Sequence, residues 1–348
     1  MADAPVGVVA AEDSIPVAAS QPESATAIRP RRRRKKIIRP AREKKHALAR
    51  IEYVLFLGIF NFFRLLPFYM AFRIGEGIGR LLYYLDRPHR KVGLKNLAIA
   101  FPEKNEAEHL RILYASFLNL GRLLAEFCQL RGLTPENIRD RVEFENEAEW
   151  LQLVGQLSGS GALILTGHFG NWELLAHAAA CYGLPLHIIH RRLHNVFIEK
   201  AITQERERSG TKVIKKTTAG LEVLRAIKKK SIVVAAVDQN ASGRMGVFVP
   251  FFSRLASTSS GLAGLALRTG VPVVPAFLIR EQGSHKHKIV ILPLIDPVQT
   301  GNQEEDLRAT TAKFTASFQR VVEKYPDHWL WIHKRWKRRP DGEAPIYT

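Results

Sequence analysis

Between residues 106 and 130, Leu110, Leu113, Tyr114, Phe117, Leu120, Leu124 and Phe127 recur every three or four positions, which predicts an amphipathic helix with its apolar stripe inward. From residue 160 the period changes. Short β-rich runs at 162–165, 186–189, 232–237, 271–279 and 289–292 alternate with helical stretches near 171–182, 195–209, 219–229, 258–269 and 303–323. This alternation predicts an α/β fold built on a mostly parallel sheet flanked by helices. Ligands of such sheets bind outside the carboxyl ends of the strands, so the residues just after the apolar runs are the first candidates for chemistry: His168, Arg191 and Asp238.

Ahead of this region lies an apolar, aromatic stretch from Ile51 to Phe63, bracketed by Glu52, Arg64 and Pro67. It is shorter than the roughly 20 residues that a spanning helix needs, so it either lies in a membrane interface or spans marginally. Residues 29–45 hold eleven Lys or Arg against one acid, and residues 1–28 hold none. A polybasic segment beside an apolar helix is drawn to anionic lipid, each cation contributing about 1 kcal/mol. The expected organisation is a disordered tail with a polybasic segment over 1–45, a membrane-associated helical segment over 46–85, and the main domain over 86–345. The other use of the same features is a core helix with a solvated charged tail.

The chain has 348 residues, 46% of them hydrophobic and 24% charged, which excludes the disordered, collagenous and disulfide-rich classes. Lys and Arg number 52 against 33 acids, a net charge of +19 that calls for an anionic partner: nucleic acid, a phospholipid surface, or a phosphorylated or acyl-carrier substrate. Zinc-finger spacing, an RNP-like aromatic pair and basic-zipper heptads are all missing, so no nucleic acid is expected. Cys128 and Cys181 are too few for a disulfide framework and suit a reducing compartment. The N-terminus has no basic start followed by an apolar core, so no secretory signal is expected.

Candidate chemistry centres on Thr166-Gly167-His168-Phe169-Gly170-Asn171-Trp172-Glu173. Asn171 is a good N-cap, and Glu173 in the first helical turn suits the helix dipole. A histidine in a Gly-flanked loop and a carboxylate in the next turn can approach, letting Glu173 hold the ring of His168 as a general base. With a substrate that brings its own hydroxyl, no Ser or Cys nucleophile is needed, and no G-x-S-x-G elbow occurs. The bland counterpart is an incidental His beside a dipole-stabilising Glu. Asp238 either positions an acceptor, pairs with Arg191, or caps a strand end. His168, Glu173 and His177 lack H-E-x-x-H spacing, so no metal and no cofactor are expected. His285 and His287 read as part of a polar loop. Trp329, Trp331 and Trp336, interleaved with Lys334, Arg335 and Lys337, suit a membrane interface or a core.

His168 to Glu173 resembles the H-x4-D/E motif of the bacterial lipid A lauroyl/myristoyl acyltransferases, within the wider glycerolipid acyltransferase group. The resemblance covers most of residues 47–340. It includes Arg90, Asn96-Leu97 and Phe101-Pro102-Glu103, the segment from Arg191 to Asn195, the block Gly246 to Phe252 with Thr258 and Thr269-Gly270, and Tyr325 to Trp336. Ser253 stands where a Gly is usual, and His190-Arg191-Arg192 replaces a more typical Tyr-Arg-Pro. The resemblance implies a glycerolipid-acyltransferase-like fold with an N-terminal membrane-associated helix. It also implies transfer of a fatty acyl chain from an acyl-carrier-protein thioester to a hydroxyl of a lipid A precursor at the cytoplasmic face of the inner membrane. His168 is then the base and Glu173 its brace, with backbone amides after Gly170 or Arg191 at the oxyanion. Arg191, Arg192 and Arg254 would meet glycolipid phosphates, and the expected partners are acyl carrier protein, the phosphorylated acceptor and an anionic membrane. An acyl-CoA-dependent phosphatidylinositol-mannoside-type acyltransferase would keep the same dyad. A non-catalytic membrane- or nucleic-acid-binding protein would use the charge alone.

Overall fold

The computed structural model describes residues 46–157, 159–243 and 246–347; the expected disordered tail and polybasic run over 1–45 lie outside the described residues. Helices α1 (His46–Leu65), α2 (Phe68–Leu85), α3 (Arg87–Ala100) and α4 (Glu106–Cys128) precede the sheet. Pro67 separates α1 from α2, since the residue before a proline is pushed out of helical geometry. Asn105 starts α4 with a reciprocal capping box to Glu108. Helices α2 and α4 pack backbone to backbone, because a Cβ on Gly121 would collide with the Gly75 carbonyl oxygen.

Helix α1 packs one side against the core and leaves the other exposed. Its Ala49, Phe60 and Phe63 are buried, with Phe60 edge-on to Phe127 of α4 at 6.1 Å, while Ile51, Val54, Leu55, Ile59, Phe62 and Leu65 are exposed. The expected N-terminal membrane helix is not found as a spanning element, because among the described residues no helix is long and apolar enough to cross a membrane. The physical reason is that Arg50, Glu52, Asn61 and Arg64 interrupt the apolar length of α1.

After α4 come β1 (Val142–Phe144), α5 (Glu147–Leu157), β2 (Ala162–Thr166), α6 (Trp172–Cys181), β3 (Leu186–His190), α7 (Val196–Glu207), β4 (Lys212–Lys215), α8 (Ala219–Lys228) and β5 (Ile232–Ala236). A hairpin, β6 (Gly246–Phe251) with β7 (Arg254–Ser259), leads to α9 (Gly261–Thr269), β8 (Val273–Arg280), β9 (His287–Ile291) and α10 (Gln303–Lys324). The main sheet has seven strands in the order β1-β9-β8-β2-β5-β3-β4, parallel at every pair except β8–β9. The mostly parallel sheet flanked by helices is thus as expected. The helix expected over 258–269 is shorter, because Arg254 to Ser259 pair with β6. The C-terminal tryptophans belong to the core: Trp329, Trp331, Trp336 and the intervening Arg335 are at most 1% exposed.

Candidate active site

Strands β2 and β5 run side by side in parallel, and Thr166 opposite Ala236 is their last paired position. Two residues beyond each end stand His168 and Asp238, which the register brings together. His168 Nδ1 donates to Asp238 Oδ1 at 3.0 Å, and the other carboxylate oxygen accepts the indole N–H of Trp329, also at 3.0 Å. This fixes the tautomer: Nδ1 carries the proton and Nε2 is the free base. Asp238 is 3% exposed, whereas the His168 side chain keeps 30% of its exposure and so remains reachable.

Burial alone would favour neutral Asp238, but the His168 charge, the His168 hydrogen bond and the Trp329 indole outweigh it and hold the carboxyl at about 2. Burial likewise opposes charge on His168. The charge and hydrogen bond of Asp238, with a through-space contribution from Glu173, overcome it and place His168 above the ordinary histidine value, while Arg206 pulls the other way. The exposed side-chain amide of Gln239 lies beside the ring, 3.3 Å from Nδ1 and 3.4 Å from Nε2.

Glu173 does not brace the histidine as expected. Its oxygens accept from Arg206 of α7, Nη2 at 2.6 Å and Nε at 2.8 Å. The reason is local: Asn171 accepts from the Leu174 amide at 3.0 Å and fixes the start of α6, which aims Glu173 at α7. Arg206 Nη1 also donates to His190 Nδ1 at 3.1 Å, and His190 Nε2 donates to Glu199 at 2.8 Å. Glu173 therefore acts on His168 by its field and anchors a second network.

Arg191 and Arg192 are exposed in the loop between β3 and α7, and Arg254 is exposed at the hairpin tip; the structure brings none of the three into contact with His168. Two other arginines lie nearer. Arg206, which no sequence motif singles out, is one. Arg335 of the C-terminal block is the other, buried with Nη1 on the Ser257 carbonyl at 2.9 Å and Nη2 on Thr258 Oγ1 at 2.5 Å. Burial pushes its pKa down to about 10.

The segment after α10 is stitched to the histidine loop. Leu330 N donates to His168 O at 3.1 Å, Gly170 N to His328 O at 2.8 Å, and Phe169 forms a β-bridge with Trp329. Gly170 sits at φ +55°, and a Cβ there would strike the Leu278 carbonyl oxygen. Gly170→Ala is therefore expected to lose about 1–3 kcal/mol or more of stability and most activity, checked by thermal unfolding and turnover on one preparation.

Below the loop, on the sheet face covered by α5 and α6, is an all-apolar cavity of about 50 Å³ whose lining includes Thr166, Trp172, Leu186, Val274, Ile291 and Trp150. Trp172 meets the His168 ring edge-on at 5.1 Å, and the buried Thr166 hydroxyl has no hydrogen-bond partner among the described residues. Trp150 is stacked on Phe144 at 4.4 Å and 9°. Among the described residues no group of His, Cys, Asp and Glu could hold a metal ion.

Residues 41–338 match the family model described as "Bacterial lipid A biosynthesis acyltransferase". The chain is 27% identical over 293 residues to the lipid A biosynthesis lauroyltransferase of Escherichia coli strain K12, covering 81% of this chain and 90% of the relative. It is 25% identical over 294 residues to the palmitoleoyltransferase of the same organism, covering 84% and 92%. Identity to its lipid A biosynthesis myristoyltransferase is 22% over 272 residues, covering 78% and 82%.

Proposed function

Because this chain belongs to the bacterial lipid A biosynthesis acyltransferase family and is an O-acyltransferase, we propose that it carries a fatty acyl group from an acyl-carrier-protein thioester to a hydroxyl of a phosphorylated lipid A precursor. The observation that carries the mechanism is the chain Trp329–Asp238–His168, which leaves a base with a defined free nitrogen at the carboxyl ends of two parallel strands. Nε2 takes the acceptor hydroxyl proton as the oxygen attacks the thioester carbonyl. The C–O bond forms, the tetrahedral oxyanion collapses, the C–S bond breaks, and the imidazolium returns its proton to the departing thiolate. Asp238, kept ionised, stabilises the imidazolium in between. The Gly170 and Leu174 amides are occupied, so the first-turn amides of Trp172 and Glu173 serve the oxyanion, a donor of this kind contributing about 3 kcal/mol.

The acyl chain enters the apolar cavity beside Trp172. At about 50 Å³ that cavity holds only one or two water-sized groups, so the chain must displace the Trp150–Phe144 stack. Trp150→Ala is expected to favour longer donors, the selectivity ratio shifting about fourfold for each methylene newly housed, measured by competition between acyl donors of different length. The exposed apolar row of α1 lies in the interface of an anionic cytoplasmic leaflet rather than across the bilayer. The exposed Arg191, Arg192 and Arg254 meet phosphates of the acceptor or the acidic carrier.

The test incubates the full chain with a lipid A precursor and lauroyl, myristoyl or palmitoleoyl acyl carrier protein, with acyl-CoA in parallel, and weighs the product. One added acyl ester from the carrier-protein donors is the expected result. Product from acyl-CoA alone would replace the donor, and no acylated product from any donor would overturn the reading.

A further inference from the structure

A second cavity, of about 210 Å³, lies between the start of α2 at Phe68, the end of α4 at Glu126, Arg141, His285 of the β8–β9 connection and His287 at the start of β9. The pair expected in a polar loop is therefore part of a pocket wall. His287 is only 1% exposed, yet neither ring nitrogen has a hydrogen-bond partner among the described residues, and His285 Nδ1 also lacks one. The guanidinium of Arg141 sits 3.5 Å from the Phe68 ring centroid and feels the charges of Glu126 and Asp140, but donates a hydrogen bond to no described residue. Two histidines with unmet ring nitrogens and a half-buried guanidinium whose donors the described residues leave unused thus line one cavity.

Glu126 is not the group they await. Its carboxylate accepts from Arg280 at 2.8 and 2.6 Å and from Asn171 at 2.8 Å, whereas His287 Nε2 stays 3.7 Å away. Glu126 and Arg280 pair with each other, and Glu126 and Asp140 reach Arg141 only through space, so its guanidinium donors stay unused by the protein. Burial, with nearby arginines adding to it, keeps both histidines below the ordinary value and hence neutral, so each ring offers one donor and one acceptor. A hydrogen phosphate group has the complementary set: oxygens for the guanidinium fork and the ring N–H groups, and a P–O–H for a bare ring nitrogen. Next to Phe68 in the chain, Tyr69 and Met70 are exposed, as is Leu65, so the surroundings suit an anion on an apolar tail as well as a free one.

We propose that the cavity formed by Arg141, His285 and His287 beneath Phe68 is a binding site for a phosphate group, borne by a lipid headgroup or free in solution, separate from the His168 centre.

In the test, the full chain is unfolded thermally in inorganic phosphate and in chloride at equal ionic strength, and its flotation is followed with phosphatidylcholine vesicles with and without phosphatidic acid. Phosphate is expected to raise the unfolding midpoint of the wild type and of His168→Ala alike, while Arg141→Gln and His287→Gln weaken the apparent phosphate affinity about tenfold. The behaviour of His168→Ala keeps this outcome distinct from success or failure of the acyl-transfer reading. Loss of phosphatidic-acid-dependent flotation in the same two variants would assign the phosphate to a lipid; flotation unchanged with the thermal effect lost would assign it to free phosphate. A midpoint rise that survives undiminished in both variants overturns the proposal. Broadening of the 31P line of inorganic phosphate by the wild type is the check that needs no variant, and its absence means a cavity holding water only.

Discussion

Purified, folded His168→Ala protein is expected to transfer acyl groups about 10²–10⁴ times more slowly than the wild type, the usual contribution of a positioned general base. Asp238→Asn is expected to fall in the same range, since an amide that turns its N–H toward the ring would hold the wrong tautomer. The two variants differ in their pH profiles. In the wild type, activity rises with pH as His168 loses its proton, at a midpoint above the ordinary histidine value because burial is outweighed by Asp238. Removing the carboxylate charge lowers the His168 pKa, so the residual activity of Asp238→Asn should appear at lower pH than in the wild type, while His168→Ala should lose the titration altogether. Steady-state rates from pH 5 to 9 on chains with matched unfolding midpoints make this measurement. An Asp238→Asn profile that keeps the wild-type midpoint would remove Asp238 from its positioning role.

Arg206→Met is the second substitution with a large expected effect, and it reaches the histidine without touching it. The Glu173 and Arg206 side chains are 11% and 16% exposed, and leaving one member of a buried pair alone costs about 3–5 kcal/mol. The electrostatic consequence has a definite sign. Arg206 opposes protonation of His168 and Glu173 favours it. Removing the arginine raises the His168 pKa, keeps the base protonated to higher pH, and moves the rate profile upward. Glu173→Gln moves it downward. The double variant should recover much of the stability lost by Arg206→Met and return the midpoint toward the wild type, because both charges leave together. Thermal unfolding and pH–rate curves on the four proteins test this. Opposite shifts would establish that Glu173 works through its field, whereas equal losses with no shift would leave the pair a structural one.

The residues show why part of this was legible from sequence. His168 and Asp238 each follow a continuous apolar run, and the rule that ligands gather beyond strand carboxyl ends selected both. Which carboxylate would meet the ring was not legible. Glu173 lies five residues from His168, whereas Asp238 lies 70 away, and only the β2–β5 register puts the distant one closer. Arg206, 33 residues beyond Glu173, carries no local signal at all. The strands that periodicity missed are short and lie at sheet edges or in the hairpin: Lys212–Lys215 has charged ends, and Arg254–Ser259 is mostly polar. The interleaved tryptophans and cations near residue 330 fitted a lipid interface and a core equally well. Their burial follows from Asp238 and Phe251, which supply an acceptor for the Trp329 indole and a ring 5.4 Å from it.

That indole also sets a timetable for the newborn chain. Trp329 follows Asp238 by 91 residues, so a ribosome adding 5–20 residues per second needs about 5–20 s to make it after Asp238 has been synthesised. During that interval the histidine loop lacks the strand-like segment that zips to Phe169 and the donor that orders Asp238. A chain synthesised through Asp238 but short of Trp329 therefore has the His168–Asp238 pair in sequence but lacks the indole donor that orders its carboxylate.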